Sequence, residues 1–83
     1  MKSINSNTRM SYRLTAVIEK DEYGYYAYCP DLAGCQSQGD TWEDVQVNIR
    51  EAIALYLETL TDEERRSLLA REVRTMTMEV QVA

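Results

Sequence analysis

From Tyr12 the side chains alternate: Tyr12, Leu14, Ala16 and Ile18 share one face, and Arg13, Thr15, Val17 and Glu19 the other. A period of two with one apolar face predicts a half-buried β-strand. Lys20-Asp21-Glu22-Tyr23-Gly24 is polar and ends on a glycine able to take positive φ, which predicts a hairpin connection of about three to five residues. Tyr25-Tyr26-Ala27-Tyr28-Cys29 then reads as the return strand, because aromatic residues favour a pleated surface. Tyr26 and Tyr28 point to one of its faces, and Tyr25, Ala27 and Cys29 to the other. Pro30 ends it, having no N–H for the ladder. Pro30-Asp31-Leu32-Ala33-Gly34 is a turn, and Cys35-Gln36-Ser37-Gln38-Gly39 is a short edge strand. Three consecutive strands with short links predict an antiparallel meander.

Period two then gives way to a helical period. Thr41 is placed to cap a helix and Asp44, three residues on, to reach back, a capping-box variant with aspartate in place of glutamate or glutamine. Val45, Ile49, Ala52, Ile53, Tyr56 and Leu60 recur at spacings of three and four, while Gln46, Arg50, Glu51, Ala54 and Glu58 occupy the opposite side. This predicts a helix of about five turns laying one stripe on a sheet. Thr61-Asp62-Glu63-Glu64 repeats the capping pattern and opens a short second helix through Leu68, Leu69 and Ala70. Met76, Met78, Val80 and Val82 finally alternate with Thr77, Glu79 and Gln81 as a last strand. A strand returning after a helix usually lies parallel to an earlier one through a right-handed crossover. The expectation is therefore an α+β fold, β-β-β-α-(short α)-β: a single mixed sheet, last strand paired with the first, with one long helix on a face.

Composition narrows what such a fold can do. At 83 residues there is room for one small domain, expected over residues 12–83, with 1–11 a disordered leader and Met10-Ser11 a plausible true start. The 45% of apolar residues is near the globular average, so the chain should fold. The polar N-terminus is no secretory signal, and the longest apolar run, Ala52 to Leu57, is far too short for the roughly 20 residues of a membrane span. The cytoplasm is the expected compartment, with Cys29 and Cys35 reduced thiols, although they flank a turn and a disulfide between them is the minor alternative. There is no histidine, so the commonest general base and zinc ligand are missing, and two cysteines do not complete a zinc site. A cysteine nucleophile would lack its base. Gly24, Gly34 and Gly39 are too scattered for a phosphate loop. Asp31, Asp40, Glu43 and Asp44 lie on two loops and a helix start, where a Mg²⁺-dependent nuclease would need acids. Most already have turn or capping duties, which weighs against metal catalysis. No cofactor is implied.

Charge says more once it is resolved along the chain. Fourteen acids and nine bases give −5, which disfavours a phosphate-backbone binder. Asp21 to Glu64 holds eleven acids and one base, Arg50, a net of −10, and the remainder holds three acids and eight bases, a net of +5. Such asymmetry steers a basic partner. The competing explanation is that acids suit helix N-termini and solvated faces, which covers three or four of the eleven. Four tyrosines between Tyr23 and Tyr28 offer rigid area with a polar tip, suited to interfaces, or else simply pack the strand.

Tyr25-Tyr26-Ala27-Tyr28-Cys29-Pro30-Asp31-Leu32-Ala33-Gly34-Cys35, then Ser37-Gln38-Gly39-Asp40-Thr41, Asn48-Ile49-Arg50-Glu51-Ala52-Ile53 and Tyr56-Leu57-Glu58, together resemble the HicB-like antitoxin family. The resemblance runs in order from about Leu14 to Leu60. Ala33 stands where the family often has proline, and Trp42-Glu43-Asp44-Val45 where it often has leucine, two glutamates and alanine. The resemblance implies a partial ribonuclease-H-like fold without nuclease activity, a protein that binds and neutralises a small basic toxin that cleaves messenger RNA. Many members add a C-terminal DNA-binding domain; only 23 residues follow Leu60 here, so direct operator binding is not expected. The partner-binding candidates are Asp21, Glu22, Tyr25, Asp31, Asp40, Glu43 and Asp44. The partner expected is a HicA-like ribonuclease toxin, with homodimers or higher oligomers formed through an exposed sheet edge or face. The alternative is an orphan member of the family, a stand-alone binding or scaffold domain with no toxin.

Overall fold

The computed structural model describes residues 11–83; the expected leader, apart from Ser11, lies outside the described residues. Strands β1 (Val17–Asp21), β2 (Gly24–Tyr28) and β3 (Gln36–Gly39) form an antiparallel sheet in the order β1-β2-β3. Helices α1 (Trp42–Glu58) and α2 (Asp62–Leu69) follow. This is the expected α+β arrangement. The hairpin is tighter than the composition of Lys20–Gly24 implied: Asp21 pairs with Gly24, leaving Glu22 and Tyr23 as a two-residue loop. Gly24 takes φ 134°, and the Tyr23 N–H donates to Asp21 Oδ1 at 2.8 Å.

The pairing Ile18↔Ala27 and Ala27↔Ser37 turns Ile18, Tyr25 and Ala27 toward α1, and Tyr26 and Tyr28 toward the opposite face, as alternation requires. Thr41 caps α1, its Oγ1 accepting from the Asp44 N–H at 3.0 Å. The reciprocal half of a capping box is made only at α2, where Glu64 Oε1 accepts from the Thr61 N–H at 2.8 Å. Asp44 is one methylene shorter, and its carboxylate is left to face a groove. The last turn of α1 carries no basic residue; Arg65 of α2 supplies one, donating from Nε to the Leu57 carbonyl at 2.8 Å. A cation there complements the negative end of the helix dipole.

The core is thin and comes in two parts joined along α1. Ala27, Val45 and Ile49 form one, with Ile18, Tyr25, Ala52 and Ile53 around them. Cys29, Leu32 and Cys35 form the other, against Leu14, Tyr56, Leu57 and Leu68 as well as Ala52 and Ile53. The second part is folded by two consecutive turns, Leu32 N–H to Cys29 O at 3.1 Å and Cys35 N–H to Leu32 O at 3.0 Å, and closed by Cys29 N–H to Cys35 O at 3.0 Å. Both cysteines are free thiols, and burial pushes both thiol pKa values up.

Two expectations are corrected. Tyr12 to Ala16 continue the alternation of β1 but pair with nothing among the described residues, so the first strand starts at Val17. The last strand does not form: residues 72–83 have no assigned secondary structure, and the sheet is three-stranded and antiparallel rather than mixed. A strand exists only where its N–H and C=O groups find a ladder. Arg71 is held at Asp31, its Nη2 donating to the Asp31 carbonyl at 3.3 Å, and Met76, Met78, Val80 and Val82 beyond it are 62–91% exposed.

Candidate functional site

The hairpin tip, the end of β3 and the start of α1 meet around a groove of about 680 Å³. What brings them together is Gly39. A Cβ at that position would lie 2.6 Å from the Val45 nitrogen and 2.9 Å from its Cα, so only a residue without one lets β3 press against the first turn of α1. Asn48 then ties the two elements, donating from Nδ2 to the Gln38 carbonyl at 2.8 Å.

Asp21, Asp40, Asp44, Tyr25 and Tyr26 all line this groove, and no lysine or arginine does. Asp21 is fixed by its turn and Asp44 by the helix cap, so two of the three carboxylates are held on ordered backbone before any partner arrives. Tyr25 is braced by two neighbours, its ring 6.2 Å from that of Trp42 and with Lys20 Nζ 5.7 Å from its centroid. Tyr26 donates from its hydroxyl to Gln36 Oε1 at 2.6 Å and lies beside Tyr28, their rings 5.9 Å apart. The result is a negative depression with aromatic walls, able to receive cationic side chains and to stack on arginine.

Of the seven residues expected from the sequence, the structure gathers Asp21, Tyr25, Asp40 and Asp44 here. Glu22, in the hairpin loop, and Glu43, in the first turn of α1, are exposed neighbours in sequence that do not line it. Asp31 stands apart: it is 7% exposed, in the second core region, with Oδ1 3.9 Å from Arg71 Nη2. Sequence reasoning passed over Trp42 and Asn48. Asparagine inside a helix is a poor helix former, so one beside an apolar stripe is a signal of an outside hydrogen bond. Among the described residues, no group of three or more cysteine, aspartate or glutamate side chains is arranged to hold a metal ion.

Comparison with known proteins bears on the family. The model of a family described as HicB-like antitoxin of bacterial toxin-antitoxin systems matches residues 14–82. A UPF0150 protein of Synechocystis sp. is 53% identical over 53 residues, covering 63% of this chain and 67% of the relative. One from Helicobacter pylori is 55% identical over 51 residues, covering 61% and 71%. One from Thermoplasma acidophilum is 47% identical over 49 residues, covering 58% and 71%. No solved structure matches.

Proposed function

The chain belongs to the HicB-like antitoxin family of bacterial toxin-antitoxin systems, and from that premise we propose that it neutralises a small basic ribonuclease toxin by binding it at the acidic groove. The observation that carries this reading is the convergence of Asp21, Asp40 and Asp44 with Tyr25 and Tyr26 in one depression that no base lines. A toxin that cleaves RNA must itself attract phosphates, so its active face is cationic. Carboxylates on fixed backbone speed the encounter with such a face, and the tyrosines supply contact area once water is expelled. The chain's own part is to occlude; it performs no chemistry and acts in the cytoplasm, where messenger RNA is.

Asp40 is the residue to test, because it is exposed, lines the groove and belongs to neither helix nor strand. Co-expression of this chain should restore growth of cells producing a small basic toxin encoded beside it. Asp40→Lys should slow association at low salt by about tenfold or more, the size expected when a steering charge is reversed. Glu58→Lys, at the far end of α1, serves as the equal-charge control. Equal loss in both variants would reduce the groove to a bystander of net charge, and no complex at micromolar concentration would leave a stand-alone binding domain.

A further inference from the structure

The C-terminal segment and the outer edge of the sheet each lack what the other has. Met76, Met78, Val80 and Val82 are 76%, 62%, 70% and 91% exposed, four apolar side chains on one side of an alternating stretch that touches no core. Thr77, Glu79 and Gln81 on its other side are suited to water. The acceptor is β1, a terminal strand of the sheet: its backbone donors and acceptors on the side away from β2 are met by no strand among the described residues. Tyr12 to Ala16 extend that edge with the same apolar face.

Beside the edge runs a second groove, of about 260 Å³, lined by Leu14, Ala16 and Ile18 and, from α1, by Ile49 and Ile53 together with the polar Gln46 and Arg50. It exists because α1 packs chiefly on β3 and β2, with Ile18 of β1 at the margin of that contact. The lengths agree: Tyr12–Ile18 and Met76–Val82 are seven residues each, roughly 24 Å of extended chain.

We propose that the C-terminal segment of a second copy adds as a fourth strand along β1, setting Met76, Met78, Val80 and Val82 into the groove between β1 and α1, and that the exchange is reciprocal. The chain's own segment does not take this place. Its root is anchored by Arg71 at Asp31 and by half-buried Val73 beside Arg13 and Thr15, and the residues after it leave the groove open. A reciprocal exchange closes with two-fold symmetry, so each copy both gives and receives a strand and no edge is left to propagate. The proposal is independent of the acidic groove, whose lining residues it does not use.

Sedimentation equilibrium of the full chain at tens of micromolar should give about twice 9.6 kDa. A monomer at that concentration would overturn the proposal. A chain ending at Arg74, folded by far-ultraviolet circular dichroism, should be monomeric; a truncated chain that stays dimeric would place the contact elsewhere, for instance on the Tyr26–Tyr28 face. The wild type supplies a test free of folding effects. In a dimer mixed from ¹³C-labelled and unlabelled chains, isotope-filtered spectra should show contacts between the methyl of Met78 and those of Ile18 or Ile49. Their appearance only within one labelled chain would show the segment folding back on its own sheet, and would refute the exchange. Finally, the truncated chain (acceptor only) and Leu14→Lys/Ile18→Lys (donor only) should each be monomeric alone and form a one-to-one pair when mixed; failure to pair, with both folded, counts against it.

Discussion

Gly39 gives the sharpest stability test, because the atoms it faces belong to backbone. In Gly39→Ala the new Cβ would sit 2.6 Å from the Val45 nitrogen, about 0.8 Å short of the 3.4 Å where ordinary contact begins. The first turn of α1 must retreat, carrying fully buried Val45 away from Ala27. Forcing extra volume into a packed site costs about 1–3 kcal/mol. Strain on the Thr41 cap adds up to ~1 kcal/mol, while alanine recovers about 0.5–1 kcal/mol of backbone entropy in a strand. The net loss is about 2 kcal/mol. For a domain of this size that is a fall in Tm of about 8–16 °C, measured by circular dichroism at 222 nm. Gly34→Ala is the comparison, since Gly34 has φ 80° but open space around it, and only the strain of the left-handed region, about 1–2 kcal/mol, is at stake there. Trimming the neighbour separates clash from cavity: Val45→Ala must not rescue Gly39→Ala, because the clash is with main-chain atoms. A Gly39→Ala melt within about 3 °C of wild type, or rescue by more than about 1 kcal/mol on adding Val45→Ala, would refute the account.

Two further outcomes follow from the Cys29–Cys35 region. Ala33 is exposed at the second position of the turn closed by Cys35 N–H to Leu32 O at 3.0 Å, and Gly34 after it has φ 80°, the pattern of a type II turn that favours proline at that second position. Ala33→Pro should therefore raise stability by about 0.4–1 kcal/mol in urea titration, and a loss would show that the turn is of another type. The buried thiols of Cys29 and Cys35 have pKa values raised by desolvation, so the unfolded chain loses those protons first as pH rises. Their contribution is complete below the ordinary thiol value of 9.0 and is lost as pH climbs from there through the raised folded values. The slope is at most ~1.4 kcal/mol per pH unit for each thiol. Cys29→Ala/Cys35→Ala should flatten the fall of Tm above pH 9; an unchanged slope would refute the assignment to these thiols.

Local rules were enough for most of the architecture. Alternation and the capping threonines located all three strands and both helices, and Val45, Ile49, Ala52, Ile53 and Tyr56 of the expected stripe are the face α1 turns to the core, while Leu60 lies beyond the helix, which ends at Glu58. They failed where structure depends on a partner rather than on neighbours. The pattern at Met76–Val82 is that of a strand, and the backbone there is left unpaired because alternation reports which face wants burial, not whose sheet will bury it. The same limit applied to the candidate site. Asp21, Asp40 and Asp44 are brought together by a hairpin and a close strand–helix approach that charge counting does not see. Asp31 carries the same charge in the sequence, yet a double turn folds it inward against Arg71.

The helix α1 divides the molecule's two unfilled surfaces by chemistry as well as by position. Asp44 and Asn48 look toward the acidic groove beside β3, whereas Ile49 and Ile53 look toward the apolar groove beside β1, and the two linings have no residue in common. One surface acts through charge, whose reach shrinks from about 10 Å at 0.1 M salt to about 3 Å at 1 M. The other acts through apolar burial and strand pairing, which salt does not screen. In the proposed exchange, a chain that buries so few side chains by itself gains core by taking a strand from a second copy along β1. Because that contact lies on the far side of α1, completing the sheet leaves the carboxylates of both copies open. The two-fold pair then carries two acidic grooves, each ready for its own cationic partner.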